Sequence, residues 1–134
     1  MEPRDIVESA LGSLIAQQAL PFIAWFDENV LYEVPPQPPI IGRFRYFQEI
    51  ALLLIPGSGA RASGFRIDRV EPPGQPLRWV QASLTFQATT DGSVFPSVDA
   101  PFSPQNSEVW FGVRDDKIVE VKAFSRSQSW HVSG

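Results

Sequence analysis

The sequence predicts an α+β domain, helices first and sheet after, and three observations carry that prediction. Near the start, apolar residues recur at i, i+4: Ile6, Ala10 and Leu14 form one row, and Val7, Leu11 and Ile15 the row beside it. After Arg61 the period falls to two, with Val80, Ala82, Leu84, Phe86 and Ala88 opposed to Trp79, Gln81, Ser83, Thr85 and Gln87. Between these regions, Trp25 to Pro56 (WFDENVLYEVPPQPPIIGRFRYFQEIALLLIP) passes from a helix end through a strand and a proline-braced loop into a new helix. Helices followed by a meander of strands place the helices on one face of an antiparallel or mixed sheet.

Composition narrows the classes of function. A chain of 134 residues that is 43% hydrophobic is the size of one domain, spanning 1–134, and can bury a core without staples. There is no cysteine, which excludes disulfides and thiolate chemistry, and one histidine does not build a histidine metal site. No metal or cofactor is expected. A net charge of −4, with the basic residues scattered, speaks against a nucleic-acid groove. The longest apolar run, Ile50 to Pro56, is far short of a membrane span, and MEPRDIVES lacks the basic start and apolar block of a signal peptide. A soluble, cytoplasmic protein without a membrane partner is the expectation.

Each element has its own signals. Asp5 suits the start of the first helix, and Pro21 the first turn of a second, Phe22 to Phe26, closed by Asp27-Glu28-Asn29. Val30, Leu31, Tyr32 and Val34 favour a strand, which Pro35, Pro36, Pro38 and Pro39 stop because proline lacks an N–H. Gly42 permits a tight reversal into a third helix, read from Phe44, Phe47, Ala51 and Leu54 and ended by Pro56-Gly57. Phe65 and Ile67 alternate with Arg66 and Asp68 in a strand that turns at Glu71-Pro72-Pro73-Gly74. A turn at Thr90-Asp91-Gly92-Ser93 leads to residues 94–105, read as an edge strand or a loop. The segment SEVWFGVRDDKIVEVKAF reads as a hairpin around Asp115-Asp116.

The segments AWFDENVLYEVP, IIGRFRYFQEI and WFGVRDDKIVEVKAF, in this order, resemble the nuclear transport factor 2-like superfamily, with ketosteroid isomerase, scytalone dehydratase and the SnoaL-like polyketide cyclases. The resemblance implies a cone-shaped, curved antiparallel or mixed sheet wrapped over three N-terminal helices, the cystatin-like arrangement. It also implies an apolar pocket at the cone's open end and a homodimer formed through the sheet. In the ketosteroid isomerase comparison, the tyrosine that stabilises the enolate falls on Ala10 and the aspartate base on Val34, so both are replaced. The second acid of that family falls on Glu108. The PPQPPIIG segment is similar to the C-terminal domain of the orange carotenoid protein, whose carbonyl-holding tyrosine again falls on Ala10 and whose tryptophan falls on Trp110.

The last hairpin decides what faces such a pocket. A two-residue turn pairs position 113 with 118 and puts Glu108, Trp110 and Gly112 on the face of Val119, Val121 and Ala123. One extra residue on one side puts Val109, Phe111 and Val113 there instead. In the first register Glu108 is a candidate acid or base and Tyr32 a hydrogen-bond donor, with Trp110, Val34, Tyr32, Ala10, Phe86 and Val121 as the ligand wall. Set against this, the commoner case for a residue such as Glu108 is a solvated strand-end carboxylate, and parity turns Glu33 away from the cavity. His131 lies in the tail, Asp99 among turns, and Gly57-Ser58-Gly59-Ala60 lacks the residues of a phosphate loop. Three functions are open: a binder of an apolar small molecule, a cofactor-independent isomerase, cyclase, dehydratase or epoxide hydrolase on an apolar substrate, and a dimeric interaction module without ligand.

Overall fold

In a computed structural model, residues 2–34, 38–55, 60–71, 77–88 and 108–124 are described. Pro35 and Pro36, residues 56–59, the turn residues 72–74, residues 90–105 with Asp99, and His131 lie outside them.

Helix α1 (Pro3–Ile15) opens with proline in its first turn, where the missing N–H has no helical partner to lose, and carries Asp5 near the positive end of the helix dipole. It buries Ile6, Val7, Ala10, Leu11 and Leu14, both rows seen in the sequence. Gln17 ends it in the left-handed region (φ 56°) and donates from Nε2 to the carbonyls of Leu53 and Ile55, each at 3.3 Å. Helix α2 (Ala19–Ala24) starts earlier than expected and keeps Pro21 in its first turn. Its end is held by Lys117, whose Nζ donates to the Ala24 carbonyl at 2.6 Å, a cation where the dipole is negative.

Strand β1 (Phe26–Glu33) begins at once, so Asp27-Glu28-Asn29 lie inside the strand rather than ending a helix. The correction has a physical cause. Tertiary pairing fixes both ends of β1 in parallel against β6 (Lys117–Phe124), with Phe26 opposite Ile118 and Leu31 opposite Glu120, and the polar triplet sits in the irregularity between them. The short β2 (Ile40–Ile41) flanks β1, and Gly42, at φ 122°, makes the reversal that only glycine adopts freely. Helix α3 (Arg43–Glu49) breaks at Ile50 and resumes as α4 (Ala51–Leu54), so the third helix is two short pieces. It buries Tyr46, Ile50, Leu53 and Leu54 and leaves Phe47 and Ala51 half-buried, whereas Phe44 is 71% exposed. Both rows have helical spacing, and packing against β1 chose the one that spacing could not.

Strands β3 (Ala60–Val70), β4 (Arg78–Ala88) and β5 (Glu108–Arg114) complete a six-stranded mixed sheet in the order β2-β1-β6-β5-β4-β3. The helices pack on one face, so the α+β architecture read from the sequence is the observed one. Asp115 and Asp116 form the expected two-residue turn with φ of 54° and 63°, and Val113 pairs with Ile118. One step further, Gly112 pairs with Glu120. Val119 is therefore an extra residue, a β-bulge, and it reverses parity for the rest of the hairpin. Val109, Phe111 and Val113 join Val121 and Ala123 under the helices, the second of the two registers.

On the outer face, Trp79 lies opposite Gly112, and a Cβ added at Gly112 would meet the indole ring at 3.1 Å. The glycine leaves room for the ring to cross β5. Gly112→Val should therefore lower stability by about 1–3 kcal/mol through overpacking, measured by chemical denaturation with Trp fluorescence. Replacing Asp115-Asp116 by Asn-Gly, which takes positive φ with less strain, should raise it by about 0.5–1 kcal/mol in the same assay.

Candidate functional site

The helix-side face of the sheet is where a site has to be sought, since strand alternation sends each chemistry-bearing side chain to one side or the other. Tyr32 pairs with Val121, Val34 comes two residues on, and Ala10 of α1 belongs to the same buried cluster. All three neighbours and Tyr32 itself are buried in one core. Four rings fill its base. Phe26 lies 4.9 Å from Phe22 and 4.8 Å from Tyr46, and Tyr46 meets Tyr32 edge to face at 5.4 Å. Tyr46 had no motif to announce it. Its one sequence signal is the i, i+4 relation to Ile50, which the parallel Phe44, Phe47 and Ala51 row obscured.

Burial pushes the Tyr46 hydroxyl well above the usual phenol pKa, and the nearby Tyr32 adds to the shift. Its proton is held at every physiological pH. Among the described residues every fully buried side chain is apolar or aromatic, and the buried polar atoms include the Tyr32 and Tyr46 hydroxyls and the Nε atoms of half-buried Arg43, Arg61 and Arg78.

The charges of the sheet lie elsewhere. Glu33 and Lys122, opposite each other across β1 and β6, form an ion pair at 3.7 Å on the outer face. Lys122 also stands 5.9 Å from the Trp79 ring centre. Glu108 sits on that face too, half-buried and accepting a hydrogen bond from Gln81 Nε2. Asp68, at a bulge in β3, accepts from Ser83 Oγ and pairs with Arg66. Arg61, Arg69 and Glu120 share the outer parity.

Of the residues proposed from the sequence, the structure thus brings together Ala10, Tyr32, Val34 and Val121 on the helix side, and places Phe86 at the end of the same face. Glu108 and Trp110 do not join them. The Val119 bulge turns both outward, and Trp110 packs with Trp79 and Phe124 in a separate cluster.

The two ends of the helix-side face differ. At one end Phe26, Ile118 and Val113 are closed over completely or nearly so. At the other, β4 runs on past its last contact with β5, Ser83 to Glu108, carrying Leu84 and Phe86 beside Phe65 of β3. Phe65 and Phe86 are only half-buried, so part of this apolar face meets solvent there. Among the described residues no three potential metal ligands converge, and no helix is long and apolar enough to cross a membrane.

Solved structures share this arrangement over almost its whole length. A ketosteroid isomerase-like protein from Erwinia carotovora superposes with a TM-score of 0.61 at 11% identity, covering 93% of this chain and 94% of its own. An NTF-2 like protein of unknown function from Burkholderia xenovorans gives 0.57 at 15% identity, covering 98% and 87%. The fold is that of the nuclear transport factor 2-like proteins. An LEH-like epoxide hydrolase from M. tuberculosis has this fold as well, with a TM-score of 0.57 at 17% identity over 92% of this chain and 81% of that one. No protein-family model matches the sequence, and no curated protein matches it either.

Because the folded state holds the Tyr46 proton more tightly than the unfolded chain does, its contribution to stability is intact below about pH 10 and is lost as pH rises beyond that. Tyr46→Phe should therefore flatten the fall in stability between about pH 9 and pH 11, read from denaturation midpoints across that range.

Proposed function

We propose that this protein binds an apolar small molecule at the open end of its nuclear transport factor 2-like cone and does so without carboxylate catalysis. The observation that carries the reading is the half-buried apolar pair Phe65 and Phe86 beside Leu84, at the end of the helix-side face away from Phe26, Ile118 and Val113. Leaving large apolar side chains partly in water costs free energy that a ligand of the same character recovers, at about 25 cal/mol per Å² covered. Val34 and Leu84, each 5% exposed, extend the wall inward toward the buried Tyr32.

Ketosteroid isomerase-like and epoxide hydrolase proteins share the fold, which makes an apolar substrate and cofactor-independent chemistry the natural rival. That chemistry needs a carboxyl whose surroundings keep it poised for proton transfer. Here Ala10 and Val34 occupy the positions that resemble the isomerase tyrosine and base, and the remaining carboxyl, Glu108, is on the outer face. Binding therefore fits the described residues better than catalysis.

The test is displacement of an environment-sensitive apolar dye, with native mass spectrometry as a second readout. The wild-type protein should bind the dye in a saturable way, Phe86→Glu should weaken binding at least tenfold, and Glu108→Gln should leave it unchanged. Non-saturable binding, or equal binding by Phe86→Glu, would contradict the proposal.

A further inference from the structure

We infer that the ligand is uncharged throughout the part that the cone encloses, so that an ionisable apolar molecule enters only in its neutral form. The inference rests on the binding reading above and adds the chemical class of what is bound. Its basis is the separation of charge across the sheet. Toward the open end, the charged residues of the strands, Glu33, Arg61, Arg66, Glu108 and Lys122, all have outer parity, and Asp68 turns outward at its bulge to meet Ser83. Two strand charges have helix-side parity, and both lie toward the closed end. Arg78 pairs with Val113 at the start of β4, and Glu28 is exposed in the irregular part of β1, two residues from Phe26.

Among the described side chains, the helices supply no counter-charge either. Arg4 pairs with Glu8 on the exposed face of α1, Asp5 and Arg45 are exposed, and Arg43 donates to the Phe26 carbonyl near the closed end. A carboxylate or ammonium carried inward past Phe86 would thus exchange water for apolar walls without a counter-ion. The fully buried polar side chains on the helix side, among the described residues, are the phenols Tyr32 and Tyr46, and a neutral hydroxyl or carbonyl on a ligand matches them in polarity. Their ring faces are already covered by Phe26 and by each other, so flat stacking on them is not what a ligand gains.

A matched pair of probes tests this: 2-tridecanone, which is neutral at all pH, and dodecanoic acid, titrated calorimetrically into the full chain between about pH 5.5 and pH 8.5. The ketone affinity should stay constant, while the acid affinity should fall about tenfold per pH unit as its neutral fraction falls. Phe86→Lys, at a half-exposed position that accommodates a long side chain, should restore dodecanoate binding at the alkaline end of that range at least tenfold by supplying the missing cation. If dodecanoate binds wild-type protein there as tightly as the ketone, the inference fails while the binding reading stands. Binding of neither probe at any pH overturns the binding reading, and the inference with it.

Discussion

One extra residue, Val119, sets the character of both faces of the sheet. Without the bulge, the two-residue turn at Asp115-Asp116 would carry Glu108 and Trp110 under the helices and send Phe111 and Val109 to the other side. The bulge keeps the turn and reverses the parity beyond it, so three strongly apolar residues of β5 meet Val80 and Ala82 of β4 under α1. It also lets Val121 stand opposite Tyr32, which fixes β1 against β6 in parallel. The aromatic base formed by Phe22, Phe26, Tyr32 and Tyr46 depends on that pairing, because β1 carries two of its rings.

The same parity separates chemistry by side. Outward go most of the strands' carboxylates and cations, where water and ion pairs such as Glu33 with Lys122 accommodate them. Inward go apolar groups and two phenols, of which Tyr46 has its pKa raised by burial. That division is what supports the proposed binding of an apolar molecule over proton transfer. The outer aromatic cluster of Trp79, Trp110 and Phe124 is a second, smaller core, made possible by Gly112 beneath the Trp79 ring.

Much of the fold was legible in the residues because it rests on local signals. The α1 rows, Pro21 in the first turn of α2, the strand at Tyr32, Gly42, the alternation of β4 and the turn at Asp115-Asp116 all come from short-range rules and all occur. The features that escaped depend on distant partners. Asp27-Glu28-Asn29 has the composition of a helix end and becomes strand because β6 pairs on either side of it. The buried row of α3 could not be chosen between Phe44 and Tyr46 by spacing, and a bulge at Val119 leaves no mark in a run of Ile118, Val119, Glu120 and Val121 whose alternation tolerates either register. The candidate site inherits that ambiguity. Ala10, Tyr32, Val34 and Phe86 come from elements whose parity is set by local pattern, whereas Val121, Glu108 and Trp110 hung on the bulge.

Nuclear Overhauser contacts from the last hairpin test this account most directly. The bulged register predicts contacts from the Phe111 ring and Val109 methyls to the methyl groups of α1, Leu11 and Leu14 foremost, and from the Trp110 indole to Trp79 and Phe124. Contacts from the Trp110 indole to α1, with Phe111 facing away from the helices, would contradict it.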